Sequence, residues 1–311
     1  MTLRQILDAI AVAQHGSLHA AARATGQTQP ALTRSLRRLE DGLGAPLFER
    51  HARGVRPNEA GRRFLAHARR LAAEADSARD AVAQLVGRRQ GRVVFGISAA
   101  PSMLLVPAAI GRFRAAYPDV TLHSRGGLYH TLAPSLREGE LDFMICPVPD
   151  GPADAQLTVR PLMRSQMVMV GRRGHPRARV RRLAAVADAE FAVGGPPGLP
   201  GGGIHAVLER AGLGAPRVVL RTDTLIETLA MVAGTDCLAL LPQAVVRGTL
   251  MRDRLAVLPL QDALPAYEVG LFERAGVPPT PAARRLATEL EREAAYGPVR
   301  PARAPAGARR P

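Results

Sequence analysis

Residues 17–44 read SLHAAARATGQTQPALTRSLRRLEDGLG, and the punctuation of this stretch decides the architecture of the N-terminal region. Ser17 stands where an N-cap belongs, ahead of a short alanine-rich helix expected over Leu18 to Ala24. Gly26 breaks that helix. Thr28 caps another, opening Gln29-Pro30-Ala31-Leu32 with proline tolerated in the first turn, and running to about Leu43. Leu32, Leu36 and Leu39 face inward, leaving Arg34, Arg37 and Arg38 outward. Two helices joined by a short glycine-bearing turn, the second with a basic outer face, make helix-turn-helix geometry. Upstream, Leu3, Ile6, Leu7, Ile10 and Ala13 lie at helical spacing and stop near His15-Gly16. Downstream, Pro46 to Arg50 and Val55 read as two short strands around the tip His51-Ala52-Arg53-Gly54. That tip is small and basic, which suits a wing laid along a phosphate backbone.

Asn58 then caps a long helix expected to reach about Arg88, roughly 45 Å at 1.5 Å per residue. Phe64, Ala68, Leu71, Ala75, Ala78, Val82 and Leu85 alternate by four and three along it. This is a heptad seam, and its alanines imply a close helix–helix approach. A second copy of the same helix is the simplest partner. Gly87 to Gly91 is a polar break. From Arg92 strands alternate with helices, the mark of parallel α/β folding. Strands are expected at 93–97, 120–123, 141–145, 166–170, 191–193, 218–221, 238–241 and 268–272. Helices fit between them at 102–116, 132–137, 204–211 and 225–233, with a last one at about 280–295.

The 311 residues exceed one core of ordinary size and divide into two or three folding units. A hydrophobic content of 47% is enough to build proper cores. The net charge is +15, and all 42 basic residues are arginine, whose planar fork suits phosphate. That balance leaves nucleic acid, an anionic membrane or an acidic ligand open as partners. No signal peptide is read at the N-terminus, and the apolar runs fall short of a membrane span. Cys146 and Cys237 are too few for a disulfide scaffold or a zinc site. The expectation is a cytoplasmic protein.

Ordered blocks then carry a resemblance. Ala20-Ala21-Ala22-Arg23, Gln29 to Arg34, Leu39-Glu40, Leu43-Gly44, Leu47-Phe48-Glu49-Arg50 and Glu59-Ala60-Gly61 resemble the DNA-binding domain of LysR-type transcriptional regulators. Phe113 to Val120, Leu136 to Asp142 and Gly174-His175-Pro176 resemble, more loosely, that family's effector domain. Pro57-Asn58 departs from the family's leucine followed by serine or threonine, although asparagine still caps a helix. The fold class implied is α/β: a winged helix-turn-helix over 1–58, a linker and dimerisation helix over 59–89, and a two-lobed, periplasmic-binding-protein-like effector domain over 92–296. Lobe I is expected at about 92–161 and 268–296, lobe II at about 162–267, and a disordered basic tail at 297–311. The function implied is a sequence-specific transcription regulator, not an enzyme, with no cofactor. Its partners would be double-stranded DNA bearing an interrupted inverted repeat at a promoter, a small organic, anionic effector, RNA polymerase, and itself as homodimer or homotetramer.

Within that resemblance Gln29, Pro30, Thr33, Arg34 and Arg37 face the major groove. Gln29 suits adenine, Arg34 or Arg37 guanine, and the Thr33 methyl thymine, while Pro30 shapes the first turn. Alone, such arginines would be read as solvated. Arg50, Arg53 and Arg56 of the wing are candidates for backbone or minor-groove contact, with Arg50 also suited to pairing with Glu49. For the effector, the strand at 93–97 runs into Ser98-Ala99-Ala100-Pro101-Ser102. Its amides and the hydroxyls of Ser98 and Ser102 suit an anion, with helix capping the plain alternative. The glycine-rich run 194–203, including Gly202, can form an anion-holding nest or a plain loop. Leu128 and Tyr129 offer apolar lining, and Thr224 caps a helix beside the cleft. Cys146 sits where the crossover between lobes should begin and is counted among the candidate effector contacts, whereas a redox role would want a resolving partner that Cys237 does not offer. Neither a nucleophile–base–orienter set nor a metal cluster presents itself. A solute-binding protein of transport would share the lobes but have no use for residues 1–90.

Overall fold

The structure, a computed structural model, describes residues 1–51, 54–194, 203–222, 224–248 and 253–296. Arg53, Gly202 and the 297–311 tail lie outside the described residues, as does the side chain of Arg50.

The N-terminal unit orders α1 (Leu3–His15), α2 (Leu18–Ala24), α3 (Gln29–Leu43), β1 (Phe48–His51) and β2 (Gly54–Pro57). Each helix starts on a side-chain cap: Thr2 within a Thr2/Gln5 capping box, Ser17, and Thr28. Gly16 and Gly44 end α1 and α3 in the left-handed region. Ala9, Val12, Ala21, Leu32, Leu36, Leu39, Leu47 and Leu65 form the core that clamps the three helices under the wing.

Residue Leu65 belongs to α4 (Glu59–Leu85), and the first turn of α4 is seated hard against the wing. Asn58 caps it, accepting from Gly61 N–H at 2.8 Å and donating through Nδ2 to the Pro46 carbonyl at 2.8 Å. A Cβ on Gly61 would stand 2.0 Å from the Leu47 carbonyl oxygen, so no other residue fits there. At the other end α4 stops at Leu85, short of the expected Arg88, because Gly87 takes φ 87°. Gln84, 9% exposed, accepts from the Ala282 amide at 2.9 Å and donates to the Gln90 carbonyl at 3.3 Å. Asp80 accepts from Arg92 N–H, and Glu74 pairs with Arg274 at 3.1 Å. Between these fastenings Leu71, Val82 and Leu85 of the heptad seam are 48%, 62% and 77% exposed.

The remainder runs β3 (Gln90–Ile97), α5 (Ala99–Ala116), β4 (Asp119–Gly126), α6 (Tyr129–Arg137), β5 (Phe143–Pro147) and β6 (Leu157–Arg172). After a 3₁₀ turn at Leu183–Val186 come β7 (Glu190–Gly194), α7 (Ile204–Arg210), β8 (Arg217–Thr222), α8 (Leu225–Gly234), β9 (Ala239–Pro242), α9 (Gln243–Gly248), β10 (Leu255–Val257), β11 (Ala266–Arg274) and α10 (Pro281–Tyr296). The strands order β4-β3-β5-β11-β6-β10, with β9 also on β6, and β7 pairs with β8. β3 is parallel to β4 and β5, whereas β11 runs antiparallel to β5 and β6.

β6 is far longer than the expected 166–170 segment, because one strand serves both lobes. Met163 packs against the first core, built on Phe95, Phe113, Phe143, Leu271 and Leu286, whereas Met167 and Met169 belong to the second, with Phe191, Leu208 and Leu240. Tyr267 on β11 packs against both. The chain therefore crosses between lobes twice, side by side, at the paired stretches of β6 and β11.

Candidate nucleic-acid interface and candidate cleft at the start of α5

Four-residue steps along α3 place Gln29, Thr33 and Arg37 in one column on successive turns. Gln29, Pro30, Arg34 and Arg37 are exposed, and Thr33 is half-buried. The Thr33 hydroxyl donates to the Gln29 carbonyl at 2.9 Å, leaving the methyl as its free group. Among the described residues no carboxylate pairs with Arg34, Arg37 or Arg56. Residues 1–58 carry eight arginines against four carboxylates, and two of those carboxylates are turned inward.

Asp8 is one of them. It is 1% exposed, yet it accepts from Gln27 Nε2 at 2.7 Å and from the Ser35 hydroxyl, with Arg4 at 3.4 Å. It ties α1 to the turn and to α3, fixing the angle at which the recognition face is presented. Glu40 is the other: its carboxylate accepts the Leu47 amide at 2.7 Å and starts the wing from the end of α3. Glycines complete the joint, since Val55 N–H donates to the Gly16 carbonyl at 2.8 Å and Gly54 sits at φ 131° with no room for a Cβ. Glu49 faces His51 at 3.6 Å, and Arg56 is exposed on β2. Sequence reading passed over Asp8. Its signal was a lone carboxylate amid Ile6, Ala9 and Val12 on the apolar face of α1.

In the effector domain, β3 ends at the switch between β4 and β5, and Ser98 follows it. Ser98 N–H donates to Ile145 C=O at 2.8 Å, and Gly127 N–H to Ile97 C=O at 3.3 Å, so the turns after β3 and β4 lie together. Ser98 is 4% exposed and occupies the N-cap of the 18-residue α5. Its hydroxyl makes no cap bond and, among the described residues, has no hydrogen-bond partner. The first intrahelical bond is Ser102 N–H to Ser98 C=O, so the amides of Ala99 and Ala100 precede the ladder. An idle buried hydroxyl costs about 1 to 3 kcal/mol, and beside free helix-start amides it marks a place for an acceptor. Ala100 packs against the second-lobe cluster that includes Val168, Leu229 and Val245, which puts the start of α5 at the boundary between lobes. Ser102 is half-buried in the same turn.

The other expected contacts divide. Leu128 is the half-buried residue before α6, adjoining the Gly127–Ile97 bond. Thr224 caps α8, accepting from Glu227 N–H at 3.3 Å, next to the Leu225 that shares a cluster with Ala100. Tyr129, by contrast, turns away from the cleft. Its ring meets Phe272 edge-on at 5.3 Å and its hydroxyl donates to Asp154 at 3.1 Å. Arg137 also binds Asp154 and holds that carboxyl below its ordinary range, so Tyr129 serves the core under α6. Cys146 lies within β5 rather than after it, because the strand runs Phe143–Pro147 instead of the expected 141–145. It is wholly buried under α6 and burial pushes its thiol up to about 12. With no surface to offer, Cys146 leaves the set of effector contacts.

Comparison with known proteins matches two parts of the chain. Residues 3–62 match the bacterial regulatory helix-turn-helix protein, lysR family, and residues 87–295 match the LysR substrate binding domain. The SDS degradation transcriptional activation protein of a Pseudomonas species is 35% identical over 288 residues, covering 91% of this chain and 94% of the relative. The HTH-type transcriptional regulator GbpR of Azospirillum brasilense is 28% identical over 293 residues, covering 93% and 86%. Full-length CbnR complexed with its target DNA shares the fold with a TM-score of 0.69 at 20% identity, covering 94% of this chain and 99% of that one. ArgP from Mycobacterium tuberculosis does so with a TM-score of 0.69 at 19% identity, covering 94% and 97%.

Proposed function

Because this chain belongs to the LysR family of transcriptional regulators, we propose that it reads an operator with α3 and is switched by an anionic organic effector seated at the start of α5. The observation that carries the effector half is the partnerless, buried hydroxyl of Ser98 beside two helix-start amides at the lobe boundary. A carboxylate or sulfate head accepts three such donors at once, while Ala100, Leu128 and Thr224 border the rest of the molecule. The name of the Pseudomonas relative, tied to SDS degradation, lies in the same charge class.

On the DNA side, Gln29, Thr33, Arg34 and Arg37 reach base edges, with Pro30 shaping the first turn, and Arg56 with Arg50 and Arg53 tracks the backbone. Two copies joined along the exposed Leu71–Val82–Leu85 seam present two recognition helices to an inverted repeat at a promoter. Effector affinity that differs between open and closed lobes shifts subunit packing, the angle between DNA-binding pairs and contact with RNA polymerase.

The test is a gel-shift titration on the DNA upstream of the protein's own gene, with a panel of small organic acids and alkyl sulfates. A ligand that changes the footprint for the native chain and not for Ser98→Val supports the reading. A ligand that only raises thermal stability, with the footprint unchanged, sinks the switching mechanism. The seam is tested apart, since Val82→Glu should convert the assembly to monomer by sedimentation.

A further inference from the structure

Six of the eleven residues from 172 to 182 are arginine, in a chain with 42 in 311. They form the segment that leaves β6 at the outer rim of lobe II, about 20 Å along the strand from its crossing between lobes.

Two of these arginines are structural. Arg172 Nε donates to Asp236 at 2.7 Å, and Arg177 holds Asp188 and the Ala185 carbonyl. His175, 5% exposed, locks the turn from within. Arg177 N–H donates to its Nδ1 at 2.9 Å, so the proton sits on Nε2, which donates to the Asp236 carbonyl at 3.0 Å. The remaining four, Arg173, Arg179, Arg181 and Arg182, are exposed, and no carboxylate among the described residues pairs with them. Arg254 is exposed beside them, its carbonyl accepting from Arg173 N–H at 2.7 Å. Of the nearby acids, Asp188 and Asp236 are engaged and Asp262 accepts the Leu183 amide, which leaves Asp253 as the exposed counter-charge.

We propose that this arginine turn is a second DNA contact, gripping the phosphates of duplex flanking the operator while α3 reads the bases. The inference rests on the DNA-binding reading above. The turn is braced before any partner arrives, so little ordering cost remains. Among the described residues, none of the exposed large hydrophobic residues falls between 160 and 218, and the adjoining β10 offers only Val257 at 38% exposure, so the turn itself has no large apolar anchor of the kind that centres a protein–protein interface. It also carries no aromatic residue on which an unpaired base would stack. Unpaired guanidiniums on a rigid base fit phosphate oxygens and confer affinity without sequence preference.

The experiment measures binding of the full chain to a random-sequence duplex by fluorescence anisotropy across a salt series. Arg173→Ser, Arg179→Ser, Arg181→Ser and Arg182→Ser are made singly and together. The combined variant is expected to lower the slope of log K against log salt by about 3 to 4, and each single change by about 1. Thermal melting of each variant confirms the fold, and the single changes decide the matter if the combined chain melts early. Slopes equal to the native one throughout overturn the proposal. So does a loss of promoter activation in vitro with the DNA slope unchanged, which would assign the turn to an acidic protein. The Arg34→Ala/Arg37→Ala chain keeps the outcomes separate: it should lose preference for operator over random DNA yet retain the share of the slope owed to the turn. Retained preference would indict the recognition helix and leave this proposal standing.

Discussion

In the first 58 residues Asp8 and Glu40 are turned inward to hold backbone and polar side-chain groups, while among the described residues no carboxylate pairs with Arg34 or Arg37. In the two lobes several carboxylates are instead taken up by arginines. Glu289 lies between Arg112 at 2.6 Å and Arg285 at 2.7 Å, Asp154 holds Arg137, and Asp188 holds Arg177. Away from the arginine turn at 172–182, the polar group left idle at the start of α5 is a buried hydroxyl, Ser98. On the functions proposed above, the contrast follows the partners. A surface meant for phosphates keeps free cations and a stiff frame behind them, whereas a cleft meant for one small molecule keeps a few unfilled donors.

Substitutions that strip the stiff frame should have the largest effect. Gly61→Ala forces a Cβ into the Leu47 carbonyl and should cost about 4 kcal/mol in a denaturant melt of the N-terminal domain. Asp8→Ala leaves Gln27 and Ser35 without their acceptor. It should cost about 2 to 3 kcal/mol, with operator affinity falling although no DNA-facing residue has changed. Unchanged affinity would break the link between frame and face. Arg37→Ala, on the face itself, should leave the melt untouched and reduce operator binding about 10- to 100-fold. The lobes predict the opposite pattern. Ser98→Ala removes an unsatisfied group, so the ligand-free protein should melt at the same or a slightly higher temperature while effector affinity drops about tenfold. A marked loss of stability would show that the hydroxyl has a structural partner after all. Smallest of all, Cys146 should stay inert to thiol reagents at pH 8 until the chain is denatured. A pKa of about 12 leaves about one thiol in ten thousand ionised, and none of it is accessible.

How much was legible in the sequence divides along the same line. Thr2 and Gln5 aside, the N-terminal unit declares its helix ends through residues a few positions apart: Ser17, Thr28, Gly44 and Asn58 all act within one turn of where they stand. The lobes depend on partners far away. Tyr129 reads as cleft lining because Gly126-Gly127 precedes it, but its orientation is set by Asp154, 25 residues on, and by Phe272. β6 was found only in its apolar half, since the half that crosses between lobes is largely exposed and contains Pro161. Nor did periodicity reveal α9 or β10, which are six and three residues long. The start of α5 was recognised from Ser98 and its neighbours. That the hydroxyl there is idle is visible only once every acceptor around it has been placed.

The fastenings at the two ends of α4 have a mechanical consequence. Twenty-seven helical residues make a rod of about 40 Å, joined to the wing through Asn58 and Gly61 and to lobe I through Gln84. At the lobe end the glycine-bearing stretch 87–91 is bridged by Gln84 to Ala282 and Gln90 and by Asp80 to Arg92, which limits how far movement can dissipate there. A tilt of about 5° at lobe I therefore carries the wing end through about 3.5 Å, close to the 3.4 Å rise of one base step along a DNA strand. A displacement too small to disturb the packing of the lobe is enough to put a recognition helix one base out of register.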